Sequence, residues 1–387
     1  MALSFLALFA TADILFSGLG YHAQAEESVM HSSKAYKIKA TVVARGLENP
    51  WALAFLPDGD MLVTERPGRL RLISNGTLQP EPIAGTPDVV ARGQGGLLDV
   101  VAHPNFAENK LVYLTYSGRG EGGAGTEVAR AVLNGAKLQK QEVIFKVDPK
   151  TGGANHYGSR MLFHPDGTLY VTFGDRYTFM KEAQNTTNHL GTIIRITEDG
   201  KVPPDNPFVG KEGAKPEIYS YGHRNVQGLA LRTATGQLLA HEHGPRGGDE
   251  LNVLKPGANY GWPAITHGVD YSGAIISDKT EAPGMEQPVV FWVPSIAPSG
   301  MVVYSGDKFP KWKDNVFVGA LAGQHLRRLQ FKGDKVVEQE VLLSGLAERV
   351  RDVRQGLDGN LYIVTDDPVD GKVIRLEPAD TKGSASR

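Results

Sequence analysis

Cysteine is absent from this 387-residue chain. No disulfide framework and no thiolate metal site can therefore form. The absence also fits an exported bacterial protein. An excess of either charge is missing too, since 41 Lys and Arg face 43 Asp and Glu for a formal net charge of −2. Without a basic surplus, composition gives no case for nucleic acid or an anionic membrane surface as partner. The periodic apolar patterns of long helices are scarce. Long hydrophobic runs are confined to the start, where Leu3 to Leu19 is mostly apolar with Asp13 inside it. Ala23-Gln24-Ala25 then forms an A-x-A cleavage signal before Glu26-Glu27, so residues 1–25 read as a secretory signal peptide. The run is short and broken for a membrane anchor. The mature chain is expected in the periplasm or outside the cell, with no membrane span.

Glycine and proline are plentiful, at 46 and 23 residues. Period-two apolar runs bounded by turn residues dominate, which is the all-β signature. One unit recurs. Trp51-Ala52-Leu53-Ala54-Phe55 leads through Leu56-Pro57-Asp58-Gly59 into Met61-Leu62-Val63-Thr64. Related units run from Leu97 to Tyr116, Arg160 to Gly174, Gln227 to His243, Gly300 to Gly319 and Val350 to Asp366. Six such units predict a six-bladed β-propeller with four-stranded blades. They are too widely spaced for single strands of a β-sandwich. The strand candidate Tyr36 to Val43 is expected to pair with the last blade and close the ring. The boundaries read as an N-terminal extension over 26–39, the propeller over 40–378 and a flexible tail over 379–387. Segments 117–155, 176–226, 244–299 and 366–373 are expected as long loops on one end of the ring, where binding groups gather.

The segment Asn155-His156-Tyr157-Gly158-Ser159-Arg160 opens the third unit, where repeat folds put their chemistry. Histidine suits proton abstraction because its ordinary pKa lies near neutrality. The chain holds 11 His, so position alone also allows a structural role. Arg224-Asn225 offers a rigid fork for carboxylate or carbonyl groups, or a salt bridge within a blade loop. Arg349 and Arg351 point the same way on a strand, so they repel unless an anion joins them. Asp352 and Glu348 are the nearest candidates to neutralise them.

Taken together and in order, several motifs resemble the soluble, pyrroloquinoline quinone (PQQ)-dependent aldose sugar dehydrogenases, a glucose/sorbosone dehydrogenase-like family of propellers. They are Gln94-Gly95-Gly96-Leu97-Leu98, Asn155-His156, Gly222-His223-Arg224-Asn225, His243-Gly244-Pro245, Asn259-Tyr260-Gly261-Trp262-Pro263, Pro294-Ser295-Ile296-Ala297-Pro298-Ser299 and Arg349-Val350-Arg351-Asp352. The likeness spans about Ala40 to Pro378. It implies calcium- and PQQ-dependent oxidation of aldoses at C1 to lactones, with His156 as base and hydride passing to the quinone. It implies cofactor contacts from Gln94, Asn155, Arg224, Asn225, Arg349 and Arg351, with Arg224 also stabilising charge during catalysis. The backbone carbonyls of Gly244 and Pro245 would hold the cofactor's calcium, and Glu250 with the Tyr260 carbonyl a second, structural ion. Tyr157 and Trp292-Val293-Pro294 are candidates to line the sugar pocket. The implied partners are an aldose and an electron acceptor the sequence does not identify, in a monomer or weak homodimer.

One position departs from the family pattern. Better-known members carry a lysine where this chain has Ala322, within Val318-Gly319-Ala320-Leu321-Ala322-Gly323-Gln324-His325. Loss of one charge-assisted contact costs about 1.5–3 kcal/mol, and Gln324, His325 and Arg327 are candidates to compensate. Two other functions remain open on the residues alone. One is a non-catalytic propeller that binds a glycan or protein through a degenerate cofactor site. The other is a calcium-dependent lactonase using Asn155, Asn225, Glu65 and Asp175.

Overall fold

The computed structural model describes residues 27–379, so the expected signal peptide and nearly all of the expected tail lie outside the described residues. Six antiparallel sheets form the blades, five with four strands and one with five. Each blade begins with an inner strand: Pro50–Phe55, Leu97–Ala102, Met161–Phe163, Val226–Arg232, Pro298–Val303 and Val350–Gln355. Each inner strand packs on the next, and the last packs on the first. This is the six-bladed propeller that the repeat predicts.

The two ends of the chain close the ring. Strand Lys37–Leu47 pairs antiparallel with Gly371–Pro378, placing Ala40 opposite Leu376 and Val42 opposite Ile374. Ser28–Ser32 then adds a fifth strand outside Lys37–Leu47.

The strands near the axis do not alternate as expected. Every residue of Met61–Glu65, Leu169–Thr172, Val316–Ala320 and Leu361–Thr365 is buried. Each of these strands has a blade against both faces, so both faces must be apolar. Alternation survives at the rim, as in Lys335–Leu342. The turns after the inner strands repeat one geometry. The N–H groups of Gly59, Gly167 and Gly359 reach back to the carbonyls of Leu56, His164 and Gly356. All three glycines have positive φ, which side-chain-bearing residues adopt at a cost.

The expected long loops are partly strand. Segment 117–155 contains most of a twisted hairpin, Leu111–Gly120 with Gly123–Asn134, and then Lys137–Lys146. The third and fourth strands of the blades fall in the intervals that lack a Pro-Asp-Gly turn. Real loops remain over 147–160, 173–191 and 254–289.

Blades are joined by a repeated hydroxyl clasp. Thr64, Thr115 and Thr172 donate to the carbonyls of Leu98, Ser159 and Val226 on the next blade, at 2.5, 2.7 and 3.0 Å. Each also accepts an N–H from its own blade, from Ala52, Asp99 and Arg160 in turn.

A buried ionic cluster sits among the inner strands. Asp99 Oδ1 accepts from Arg160 Nη1 and Arg354 Nη2, each at 3.1 Å, and its Oδ2 accepts the Met161 N–H at 2.7 Å. Asp352 Oδ2 accepts from Arg354 Nε at 2.9 Å and from the Leu53 N–H at 3.1 Å. Arg160 also stacks 4.2 Å from the Trp51 ring. Burial raises the Asp99 pKa, while Arg160 and Arg354 pull it down. Replacing Asp99 by Asn would leave buried guanidinium groups under-compensated, which costs about 3–5 kcal/mol. Urea denaturation should show a loss of that order; a change below about 1 kcal/mol would mean the cluster is neutral to stability.

Candidate active site

The chain enters the third blade through a tight coil. His156, Gly158 and Ser159 all have positive φ. A Cβ on Gly158 would come within 2.7 Å of Phe173 Cα, so no larger residue fits. Side chains from other segments hold the coil. Gln94 Oε1 accepts the His156 N–H at 2.8 Å, Asn225 Oδ1 accepts the Gly158 N–H at 3.1 Å, and Arg176 donates to the Asn155 carbonyl.

This coil presses the His156 ring onto Asp175, with Nδ1 2.6 Å from Asp175 Oδ1. A carboxylate can only accept there, so Nδ1 carries the proton and Nε2 keeps its lone pair. No described residue partners Nε2. The carboxylate is itself fixed by the Tyr177 N–H at 2.7 Å and the Trp262 indole N–H at 2.7 Å. Burial lowers the His156 pKa; Asp175 opposes this, and Arg224 and Arg176 reinforce it. The imidazole is therefore neutral at neutral pH, as a base must be.

Beside the coil lies a cavity of about 290 Å³. Arg66, Arg349, Arg351 and Asp366 line it, along with Gln94 and Tyr157. Asp366 takes up the two arginines that the sequence pairs, from Arg349 Nη2 at 3.1 Å and Arg351 Nη2 at 3.5 Å. Asp352 and Glu348 serve elsewhere, on Arg354 and Lys372. Burial lowers the Arg351 pKa to about 10 against the Asp366 charge, so Arg351 stays protonated. Three guanidinium groups thus face one carboxylate, and Nε of both Arg66 and Arg351 is buried without a partner. The wall has an excess of cationic donors.

Arg224 lies on the other flank. Its Nη1 donates to the Gly244 carbonyl at 2.6 Å and its guanidinium sits 5.3 Å from the Trp262 ring. Its Nε is buried and unpartnered. A second hollow, of about 280 Å³, opens between Arg224, Tyr177, Met180, Pro245, Trp262 and Asp270.

Behind Arg224 two acids meet. Glu242 and Glu250 are cross-strand partners and line a gap of about 10 Å³ with Gly244 and Tyr260. Burial and the Glu242 charge push the Glu250 pKa up to about 8.

The structure thus brings Gln94, Asn155, His156, Arg224, Asn225, Arg349 and Arg351 to one end of the ring, with Gly244, Pro245, Glu250 and Tyr260 alongside. Asn225 touches the His156 coil through Gly158. Trp292 is core, donating to Gln339, while Tyr157 lines the cavity. Ala322 is exposed in the turn after Val316–Ala320, and Gln324, His325 and Arg327 do not line the cavity. Arg66, from the first blade, supplies a third cation instead. Of the residues in the lactonase alternative, Glu65 pairs with Arg69 and Arg71, and Asp175 pairs with His156.

Arg66, Glu242 and Asp366 escape a motif reading, and Asp175 enters it only as a lactonase carboxylate. A repeat signal marks them: Glu65, Asp175, Glu242 and Asp366 all fall at or just after the end of a second strand, and Arg66 follows Glu65.

A six-bladed ring thus carries a buried His–Asp pair beside an arginine-lined cavity. The chain belongs to the Glucose / Sorbosone dehydrogenase family, whose model matches residues 47–375. It is 43% identical over 347 residues to "Aldose sugar dehydrogenase YliI" of Escherichia coli (strain K12), covering 88% of this chain and 93% of that protein. A glucose dehydrogenase crystal structure shares 48% identity at a TM-score of 0.85, over 88% of this chain and 99% of the other. The PQQ-bound aldose sugar dehydrogenase of Streptomyces coelicolor shares 31% identity at a TM-score of 0.73, over 88% and 98%. The chain is an oxidoreductase acting on sugar donors.

The acid pair sets a pH dependence. Glu250 has its folded pKa raised, so its share of stability is full below its ordinary 4.5 and is lost as pH rises through about 8. In chelator, the Tm should fall as pH rises from about 5 to about 8, and Glu250→Gln should flatten that fall. An equal fall in Glu250→Gln would contradict the assignment.

Proposed function

We propose that the chain is a PQQ- and calcium-dependent aldose dehydrogenase that oxidises its substrate at C1 to the lactone, with His156 as base. The observation that carries this reading is a neutral, Asp175-bound imidazole beside a cavity with surplus guanidinium donors. PQQ is a planar tricarboxylate, and Arg66, Arg349 and Arg351 with Gln94 suit its negative charge. Arg224, Asn225 and Asn155, near the His156 coil, would be its further contacts. When bound, PQQ supplies the two-electron acceptor for the hydrogen that leaves C1.

The chain's own part is proton transfer and placement. His156 Nε2 takes the C1 hydroxyl proton, and Asp175 stabilises the imidazolium that results. Arg224 offers its free Nε to negative charge developing nearby. The hollow walled by Tyr177, Met180 and Trp262 gives apolar faces for the CH groups of a pyranose, with Asp270 to accept from its hydroxyls. The backbone carbonyls of Gly244 and Pro245 suit calcium, since a carbonyl has two lone pairs and Gly244 can serve Arg224 and an ion together. Glu250, the Tyr260 carbonyl and Glu242 suit a second ion, which would relieve the repulsion between the two acids. The A-x-A site at Ala23-Gln24-Ala25 supports a periplasmic or secreted protein, and among the described residues no helix is long and apolar enough to cross a membrane.

Aldose-dependent dye reduction by metal-free protein, titrated with PQQ in calcium, tests the reading. Saturable activity is expected, and His156→Ala should abolish turnover with PQQ affinity nearly intact. Turnover by His156→Ala, or absence of any PQQ dependence, would overturn it.

The same assay reads the base. A base must be unprotonated, and burial holds His156 below its ordinary 6.5. Activity should therefore hold down to that pH and fall only on its acid side. An acid limb above 6.5 would contradict the assignment.

A further inference from the structure

The Trp262 ring walls the pyranose hollow, but its indole N–H has no task in the reaction above. Its indole N–H points at Asp175 Oδ2, 2.7 Å away, on the oxygen that His156 does not use. The ring is buried, yet it borders the Arg224 hollow and the gap between Glu242 and Glu250. Its backbone is held on both sides. The Trp262 N–H donates to the Gly222 carbonyl at 2.8 Å, and its carbonyl accepts from Gln184 Nε2 at 2.7 Å. Gln184 and Asn259 exchange two further hydrogen bonds, at 2.7 and 3.0 Å, which fix the loop that carries Trp262. The indole is thus built in from three segments and aimed at one carboxylate oxygen.

We propose that Trp262 is a positioning residue for the base: by holding Asp175 it fixes the orientation of the His156 ring and limits the negative charge that Asp175 presents to it. This rests on the reading of His156 as base. A carboxylate that loses a donor keeps more charge on its oxygens and favours the imidazolium more strongly. The charged and titratable groups around the ring are Asp175, Tyr177, Arg176 and Arg224. Among the hydrogen bonds to the Asp175 carboxylate oxygens, that of Trp262 is the one a side-chain substitution can remove while leaving the base in place. The Tyr177 donor is a backbone N–H.

Trp262→Phe keeps a ring and removes the N–H. The holoenzyme should lose about tenfold in turnover, and its acid limb should move to higher pH by up to about one unit. The His156 ring-proton titration, followed by NMR in cofactor-free protein, should move the same way. Trp262→His keeps a ring N–H and should restore part of both, which also covers the case that Trp262→Phe does not fold. If Trp262→Phe loses activity while the limb and the titration stay put, Trp262 is packing alone and the inference fails. If His156→Ala turns over, the reading of the base fails instead, whatever Trp262 does.

Discussion

The ring depends on charge neutralisation at its axis. Six inner strands converge there, and side chains from several blades must share one small buried volume. Asp99 and Asp352 stand between Arg160 and Arg354, and each acid also takes an N–H from the start or middle of another blade's inner strand. Buried charge is tolerated only when paired and hydrogen-bonded. The cluster therefore constrains which blades can be neighbours, beyond what apolar packing would impose. The threonine clasps and the pairing of the chain's two ends extend that constraint around the circle.

Balance at the axis contrasts with surplus at the site. Arg66, Arg349 and Arg351 line a cavity with Asp366 as their shared acid. Acids at the ends of second strands are put to different uses around the ring. Asp366 gathers two arginines, Asp175 holds the His156 ring, and Glu242 accepts the Arg224 N–H while bonding His223. One repeated position thus provides a partner for two arginines, a partner for His156 and a candidate ion ligand. Divergence of a repeat explains how a single site draws on most of the blades.

Much of this was legible in the chain. Six turn units foretold the blades, and the Asn155-His156 and Arg224-Asn225 motifs meet at one end of the ring, where the candidate site lies. The strands within 117–155 were less legible, because outer strands lack the Pro-Asp-Gly turn. Alternation misled near the axis, where two covered faces replace one. The neutraliser of Arg349 and Arg351 was missed because it lies on the neighbouring strand rather than beside them in sequence. Ala322 looked like a lost cation. The third guanidinium comes from Arg66, on a blade far away in sequence, and only tertiary structure brings it to the cavity.

The central claim is that surplus guanidinium charge in this cavity binds an anionic cofactor. Calorimetric titration of PQQ into the calcium-loaded protein and into Arg351→Gln addresses it most directly. Loss of a charge-assisted contact predicts an affinity lower by roughly tenfold or more, with binding in both proteins weakened by added salt. Equal affinity in the two proteins, or binding indifferent to salt, would contradict the account.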